Sequence, residues 1–255
     1  ESIGMEIQNI QSAIAGISRL KEFFAHPVED QGATDDLTLT APPLVIDDAA
    51  FSYCSESIFR HLSLSVKTGE IVTITGRTGA GKSTLFKLIL GLYAPKEGTI
   101  RVFGCKPADL SPALRRQVFG YVEQQFHDVA GTVGDQVTLK DPRVSEEAVE
   151  KALRLVGLWD LCSALPEGLE TPFRQEFFSR GQLQLLSIAR AVVMNPRILL
   201  DEITANLDAL TEQQVLTALQ AASQNRTVLS ISHRLYEAQG GRMVIMGTAK
   251  HGSPS

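Results

Sequence analysis

The residues from Gly76 to Ser83 have types and a spacing that suit the binding of phosphate groups. They read Gly-Arg-Thr-Gly-Ala-Gly-Lys-Ser and fit the pattern G-x-x-x-x-G-K-[ST]. Glycines let successive backbone N–H groups turn toward a phosphate, and the start of a following helix adds positive potential. Lys82 could reach the β- and γ-phosphates, and the Ser83 hydroxyl could bind Mg²⁺. The predicted nucleotide-binding residues are Gly76, Arg77, Thr78, Gly79, Ala80, Gly81, Lys82, Ser83 and Thr84. The motif alone does not choose among kinases, GTPases and ATPases.

A second candidate site is an apolar run that ends in two acids, Asp201 and Glu202. We expect the run Ile198-Leu199-Leu200 to be a buried strand and both acids to be exposed at its carboxyl end. Open α/β sheets bind ligands at that edge. Asp201 is therefore a predicted Mg²⁺ ligand, acting through water. Glu202 is predicted to orient or deprotonate an attacking water.

The elements around these residues predict an α/β fold with a parallel sheet. A β-branched run at residues 70–75 stops at the phosphate loop, and a helix is expected over residues 82–92. Strands alternate with helices further along the chain, which indicates a parallel sheet with both faces covered. The expected helices there are residues 146–155 and 182–194, and the expected strands are 197–200 and 227–231. Short segments at 44–46, 51–53 and 62–66 predict strands of a separate antiparallel sheet.

Composition excludes several classes of protein. The chain has 255 residues, 24 basic and 29 acidic side chains, and a formal net charge of −5. That balance argues against a nucleic-acid-binding surface, which needs a basic excess or stripe. Its three cysteines are scattered and lack metal-type spacing, so a disulfide framework or a zinc site is not expected and a reducing compartment fits best.

The first 43 residues differ in character from the rest. Residues 3–24 predict an amphipathic helix, since isoleucines and a phenylalanine repeat every seven positions, and a polar linker follows over residues 31–43. We expect a domain boundary at that linker, with one domain over residues 44–247 and a tail over 248–255. No signal peptide is expected at the start, and no segment approaches the ~20 apolar residues of a membrane span.

Several further motifs resemble those of the ATP-binding cassette (ABC) family, in the family's order, over roughly residues 44–247. Phe178-Ser179-Arg180-Gly181-Gln182 resembles the signature Leu-Ser-Gly-Gly-Gln, and Val122-Glu123-Gln124 resembles the Q-loop. Ala205-Asn206-Leu207-Asp208 resembles the D-loop, and Ser232-His233-Arg234-Leu235 resembles the H-loop. Tyr53 stands where the family carries an aromatic residue that stacks on adenine. The departures include Phe178 in place of a leucine, Arg180 in place of a glycine, and a run before Asp201 of three aliphatic residues where the family usually has four. The stretch from Arg174 to Phe178 is also shorter than usual, and the β-hairpin expected after Met246 is missing.

The resemblance implies a P-loop NTPase (RecA-like) core, an antiparallel β subdomain and a helical subdomain over about residues 105–183. It implies that ATP and Mg²⁺ bind, that Tyr53 stacks on adenine, and that Gln124 touches Mg²⁺ or the attacking water. It further implies that His233 contacts the γ-phosphate and positions Glu202. The implied catalytic residues are Glu202, His233, Gln124 and Lys82, and the implied metal ligands are Ser83, Gln124 and Asp201. Ser179, Gly181, Gln182 and Asp208 would contact the nucleotide of a second ABC ATPase domain, identical or different, in a head-to-tail pair.

The leading helix is similar to the segment that joins an exporter's last membrane helix to its ATPase. The resemblance therefore implies the ATPase domain of an exporter, working with a transmembrane domain on the cytoplasmic side of the cell membrane, with no nucleic acid as partner. Two alternatives are weighed: a soluble ABC ATPase of DNA repair or translation, and a small-molecule kinase. The first usually carries coiled-coil insertions or two cassettes, and the second leaves the signature and H-loop motifs unassigned. The transported substrate is not encoded in this sequence.

Overall fold

The computed structural model describes residues 32–246 apart from residues 55, 204–207, 233, 234, 236 and 238. Its strands are β1 (Leu44–Tyr53), β2 (Glu56–Val66), β3 (Ile71–Thr75), β4 (Glu97–Arg101), β5 (Phe119–Val122), β6 (Ile198–Asp201), β7 (Thr227–Ser230) and β8 (Arg242–Ile245). Its α-helices are α1 (Lys82–Ile89), α2 (Pro112–Val118), α3 (Val133–Thr138), α4 (Glu146–Leu155), α5 (Trp159–Ser163), α6 (Arg180–Val192) and α7 (Ala209–Ser223). The predicted leading helix at residues 3–24 and the tail at 248–255 lie outside the described residues.

The N-terminal part of the domain is an antiparallel sheet in the order β2-β1-β4. The segments predicted as two strands at 44–46 and 51–53 belong to the single strand β1, whose pairing with β2 shifts register between them. At one of these irregularities Asp48 has a positive φ of 46°, and its N–H donates to Ser63 Oγ at 3.0 Å. Bulges of this kind let one strand keep its inner face toward the core while it bends.

The second sheet is parallel, in the order β5-β6-β7-β3-β8. The α/β fold with a parallel sheet and a separate antiparallel sheet, predicted from the sequence, is confirmed. Since the strands run in parallel, their carboxyl ends meet at one edge of the sheet, where ligands bind in open α/β folds. The phosphate loop follows β3, Asp201 is the last residue of β6 and Glu202 comes directly after it, so the loop and both acids lie at this edge.

Two hydrophobic cores cover the two faces of the parallel sheet. Ile198 and Leu200 of β6 belong to the core that contains Leu85 and Phe86 of α1. Leu199, between them, belongs to the other core, with Leu186 of α6. Alternation along β6 therefore directs every second side chain toward α1 and the others toward α6.

Part of the predicted linker packs on the domain. Thr34 exchanges backbone hydrogen bonds with Asp109 and Ser111, at 2.9 and 3.0 Å, and the Ser111 hydroxyl also bonds to the Asp35 carboxylate. Residues from Gly32 onward group by their contacts with the rest of the domain, and the boundary at residue 43 stays a prediction. Within the described part of the chain, no helix has the length and apolar character needed to cross a bilayer.

Candidate functional site

The phosphate loop turns from β3 into α1 through a left-handed glycine. Gly81 is the N-cap of α1 with φ 87° and ψ 16°, and no side chain caps this helix start. Residues with a Cβ adopt that conformation at a cost, so glycine is the residue this turn requires. The backbone N–H groups of the first turn therefore point from the helix end into the loop, as a phosphate site needs.

The lysine of the motif is hydrogen-bonded to the backbone of the phosphate loop. Lys82 Nζ donates to the carbonyl oxygens of Gly76 and Arg77 at 2.8 and 3.0 Å. Arg77, Thr78 and Gly79 are exposed at the rim, whereas Ala80 is buried. The ammonium group thus lies beside the loop backbone, within the site that the sequence predicted for a triphosphate.

Tyr53 lies at the end of β1, close to the phosphate loop. Its hydroxyl donates to Thr84 Oγ1 at 3.4 Å, and the residue is half-buried. Its ring makes edge-to-face contacts with Phe51 and Tyr93, with centroids 5.0 and 5.5 Å apart. The structure therefore brings the predicted adenine-side aromatic residue next to Thr84, although the two are far apart in sequence.

The acid pair at the end of β6 is buried, and the expectation that both acids are exposed is wrong. Asp201 is 0% exposed and Glu202 is 8% exposed. Asp201 accepts hydrogen bonds from Ser230 Oγ at 2.7 Å and from the Ile203 N–H at 3.0 Å. The physical reason is that β6 lies between β5 and β7, which cover it on both sides.

The second acid of the pair, Glu202, is bonded to the loop serine. The Ser83 hydroxyl donates to Glu202 Oε1, and the Tyr121 hydroxyl donates to Glu202 Oε2. Each carboxylate oxygen therefore has its own partner: Oε1 is bonded to the start of α1, and Oε2 is bonded to β5. The division of roles that the sequence predicts, with Asp201 toward the metal and Glu202 toward water, stays a prediction.

Tyr121 and Ser230 are functional candidates that sequence reasoning missed. Burial, and then the hydrogen bond to Glu202, raise the pKa of Tyr121 far above its usual value. Tyr121 therefore stays protonated and donates to the carboxylate. A tyrosine and a serine in otherwise apolar strands were the available signals, since buried hydroxyls usually find a partner.

The signature segment forms a capped helix start. Ser179 Oγ accepts from the Gln182 N–H at 3.2 Å, and Gln182 Oε1 accepts from the Ser179 N–H at 2.8 Å. This reciprocal capping box explains why α6 begins at Arg180 and not at residue 182 as predicted. Gly181 is buried against α7, where a Cβ would overlap the Thr211 methyl.

The remaining predicted residues fall around the same sheet edge or outside the described part. Gln124 is exposed and follows the end of β5, which pairs with β6 through Val122 and Asp201. Asp208 caps α7 by accepting from the Thr211 N–H at 3.1 Å, and this hydrogen bonding lowers the pKa of Asp208. His233 and residues 204–207 of the D-loop lie outside the described residues.

The donors at the loop fit Mg²⁺ in kind. Mg²⁺ takes oxygen ligands, keeps several waters, and is held by one or two carboxylates together with substrate phosphates. A serine hydroxyl and a carboxylate stand side by side at the helix start, as such a site needs. Among the described residues, no group of three or more His, Cys, Asp or Glu side chains could hold a metal by itself.

These features define a class before any relative is considered. A phosphate loop between a parallel strand and a helix, with an acid of the same sheet bonded to the loop serine, is the site of a P-loop nucleoside triphosphatase. The ABC transporter family matches residues 59–205, more than half of the chain. The chain therefore belongs to the ABC transporter family, as the sequence motifs predicted, and it carries that family's ATP-binding ATPase domain.

Curated relatives and a solved structure agree with this assignment. The chain is 35% identical over 203 residues to a probable multidrug resistance ABC transporter ATP-binding/permease protein, YheH, of Bacillus subtilis, covering 78% of this chain and 30% of YheH. It is 33% identical over 244 residues to the alpha-hemolysin translocation ATP-binding protein HlyB of Escherichia coli O157:H7, covering 94% of this chain and 35% of HlyB. A bacterial Atm1-family ABC exporter with ATP bound superposes with a TM-score of 0.76 at 29% identity, over 97% of this chain and 45% of that one. The chain thus spans about a third of the length of these curated relatives.

Proposed function

We propose that this chain is the nucleotide-binding domain of an exporter, in which ATP binding and hydrolysis drive transport across a membrane. ATP would bind with Mg²⁺ at the loop from Gly76 to Thr84, with its adenine on Tyr53. Lys82 would neutralise phosphate charge, and Gln124 and His233 would contact the γ-phosphate side. Mg²⁺ would supply charge neutralisation between the phosphates, and Ser83 is a residue that would hold it.

One observation carries this proposal: an uncapped helix start behind a left-handed glycine, with a lysine and a serine on its first turn. Backbone donors aimed at one point suit an anion with several oxygens. Tyr53 beside Thr84 supports a purine on the same side of the loop.

The role in export rests on the relatives. Two of them are named for ATP-linked translocation or drug resistance, and this chain matches only about a third of each. We infer that a transmembrane domain supplies the rest of the working transporter, and that the chain acts at the cytoplasmic face of the cell membrane. The transported substrate would be selected by that other domain.

The partner would be a second ABC ATPase domain, the same or different, bound head to tail. Ser179, Gly181 and Gln182 form a helix start on a segment separate from the phosphate loop. In the proposed pair this start closes over the nucleotide of the partner, together with Asp208. Arg180, which is exposed, would add a positive charge there.

Sedimentation velocity with a non-hydrolysable ATP analogue and Mg²⁺ tests this proposal. We expect the 255-residue chain to be mainly monomeric alone and to shift toward a dimer with the analogue. The matched control is Lys82→Ala, which removes a charged donor and should weaken nucleotide binding roughly 10–100-fold. Absence of nucleotide binding by the unmodified chain would contradict the proposal. Binding without any shift in sedimentation would contradict the head-to-tail pair.

A further inference from the structure

The ring of Tyr53 contacts two other aromatic rings, and both lie nearly perpendicular to it. The planes of Phe51 and Tyr53 make an angle of 89° with centroids 5.0 Å apart, and those of Tyr93 and Tyr53 make an angle of 84° with centroids 5.5 Å apart. Phe51 and Tyr93 also contact each other, with centroids 5.6 Å apart. Because edge-to-face contact is a preferred arrangement of aromatic pairs, the two neighbours hold the plane of the Tyr53 ring.

The two neighbours of Tyr53 differ in burial. Phe51 is 6% exposed and belongs to the core that includes α1, whereas Tyr93 is 42% exposed. Burial of apolar surface therefore accounts for the position of Phe51, but only in part for that of Tyr93. The Tyr93 ring packs against Tyr53 at the surface of the domain, where it can be removed without opening a cavity in the core.

A fixed turn at the end of α1 brings Tyr93 to this place. The Gly91 N–H donates to the Leu88 carbonyl oxygen at 3.1 Å, and the Leu92 N–H donates to the Lys87 carbonyl oxygen at 2.9 Å. Gly91 has a φ of 79°, which is the left-handed conformation of a Schellman motif. Tyr93 follows this motif directly, so the turn fixes the backbone from which its side chain extends.

The segment after α1 is also bonded to β1 on both sides of Tyr53. The Lys96 N–H donates to the Ala50 carbonyl oxygen at 2.9 Å, and Lys96 Nζ donates to the Cys54 carbonyl oxygen at 3.0 Å. The bond from the Tyr53 hydroxyl to Thr84 Oγ1 is long for a hydroxyl donor, at 3.4 Å. The orientation of the Tyr53 ring therefore depends more on its aromatic neighbours than on its hydroxyl.

We propose that Tyr93 is the positioning residue for Tyr53, and that it holds the Tyr53 ring in the plane on which adenine stacks. This inference rests on the proposed function, because it presumes that ATP binds with its adenine on Tyr53. A base stacks on an aromatic side chain through the faces of the two rings, so a tilt of one ring weakens the stack. Tyr93 therefore sets how strongly the base is held, while the phosphate loop holds the triphosphate.

Comparing the binding of ATP with that of inorganic tripolyphosphate, both with Mg²⁺, isolates the base side of the site. The quantity compared is the adenosine enhancement, the ratio of the Kd of tripolyphosphate to the Kd of ATP, measured by calorimetric titration. We expect Tyr93→Ala to lower this enhancement by about 3–10-fold, the scale of one aromatic contact, and to leave the Kd of tripolyphosphate unchanged. Tyr93→Phe should keep the enhancement, because it keeps the ring.

A double-mutant cycle with Tyr53→Ala tests whether Tyr93 acts through Tyr53. Tyr53→Ala should lower the enhancement at least as much as Tyr93→Ala does, and Tyr93→Ala should lower it no further in that background. Leu92→Ala is the matched control, since Leu92 is the preceding residue and is 54% exposed, and it should keep both dissociation constants. If Tyr93→Ala does not fold, Tyr93→Leu also removes the ring and keeps an apolar side chain.

Four results would overturn the inference. The first is an unchanged enhancement in Tyr93→Ala. The second is a further loss in the Tyr53→Ala background, which would mean that Tyr93 contacts the adenosine itself. The third is an equal loss of affinity for ATP and for tripolyphosphate, which would mean that Tyr93 supports the phosphate loop. The fourth is an enhancement near one in the unmodified chain, since Tyr53 would then hold no base. If the unmodified chain binds neither compound, the proposed function itself fails, and that result is distinct from the other four.

Discussion

Two helix starts in this domain use their backbone donors in opposite ways. The phosphate-loop helix α1 begins at Gly81 without a side-chain cap. The signature helix α6 begins at Ser179 with a complete capping box, in which Ser179 and Gln182 satisfy each other's N–H groups. An uncapped start leaves donors for a ligand, whereas a capped start is stable by itself.

The difference in capping indicates that the start of α1, more than the start of α6, would depend on bound nucleotide for its hydrogen-bond partners. At α1 no side chain caps the helix start, so a bound phosphate would supply the missing acceptors. At α6 the capping box already satisfies the helix start, and in the proposed pair this start would contact the partner's nucleotide. Both helix starts contain a glycine, but for different reasons. Gly81 adopts a left-handed backbone conformation, and Gly181 allows close contact with Thr211.

Gly81→Ala should produce the largest effect. The left-handed backbone costs about 1–2 kcal/mol with a Cβ, and overlap with the Ile58 side chain adds about 1–3 kcal/mol. We expect a loss of stability of about 2–5 kcal/mol by chemical denaturation, with loss of ATP binding by titration. In an Ile58→Ala background only the backbone cost should remain. A loss below about 0.5 kcal/mol with normal ATP affinity would refute the left-handed turn.

Gly181→Ala should have a smaller effect, because two contributions oppose each other. Alanine favours a helix by about 1 kcal/mol over glycine, whereas overlap with the Thr211 methyl costs about 1–3 kcal/mol. We expect a net loss of about 1 kcal/mol, measured by chemical denaturation.

A Thr211→Ser background removes that methyl while keeping the hydroxyl. There Gly181→Ala should become stabilising, by up to about 1 kcal/mol. Stabilisation by Gly181→Ala in the unmodified background would show that α6 and α7 do not approach closely at this point, and the contrast with Gly81 would then be lost.

Local sequence was sufficient for the loop and for much of the fold. The motif from Gly76 to Ser83 carries its own conformation, and the helix over residues 146–155 has the predicted bounds. The start of α6 was predicted two residues late, at residue 182, because the capping side chains that begin it belong to the preceding turn. These features depend on contacts between residues near in sequence.

The direction of the two acids could not be predicted from local sequence. Alternation shows that Asp201 and Glu202 face opposite ways, but pairing with β5 and β7 decides which of them faces α1. Their partners, Tyr121 and Ser230, are distant in sequence. Such a choice is set by strand register, which is a long-range property.

Ser179→Ala should have an effect of about the size of one lost helix cap. It removes the acceptor for the Gln182 N–H, and loss of an N-cap hydroxyl costs about 1 kcal/mol. Chemical denaturation should show this loss, and Ser179→Thr should restore most of the stability. Asp208→Ala is a matched control, since Asp208 caps α7 with one hydrogen bond to the Thr211 N–H. If Ser179→Ala leaves stability unchanged while Asp208→Ala lowers it, the signature helix is not self-capped, and its start would resemble that of α1.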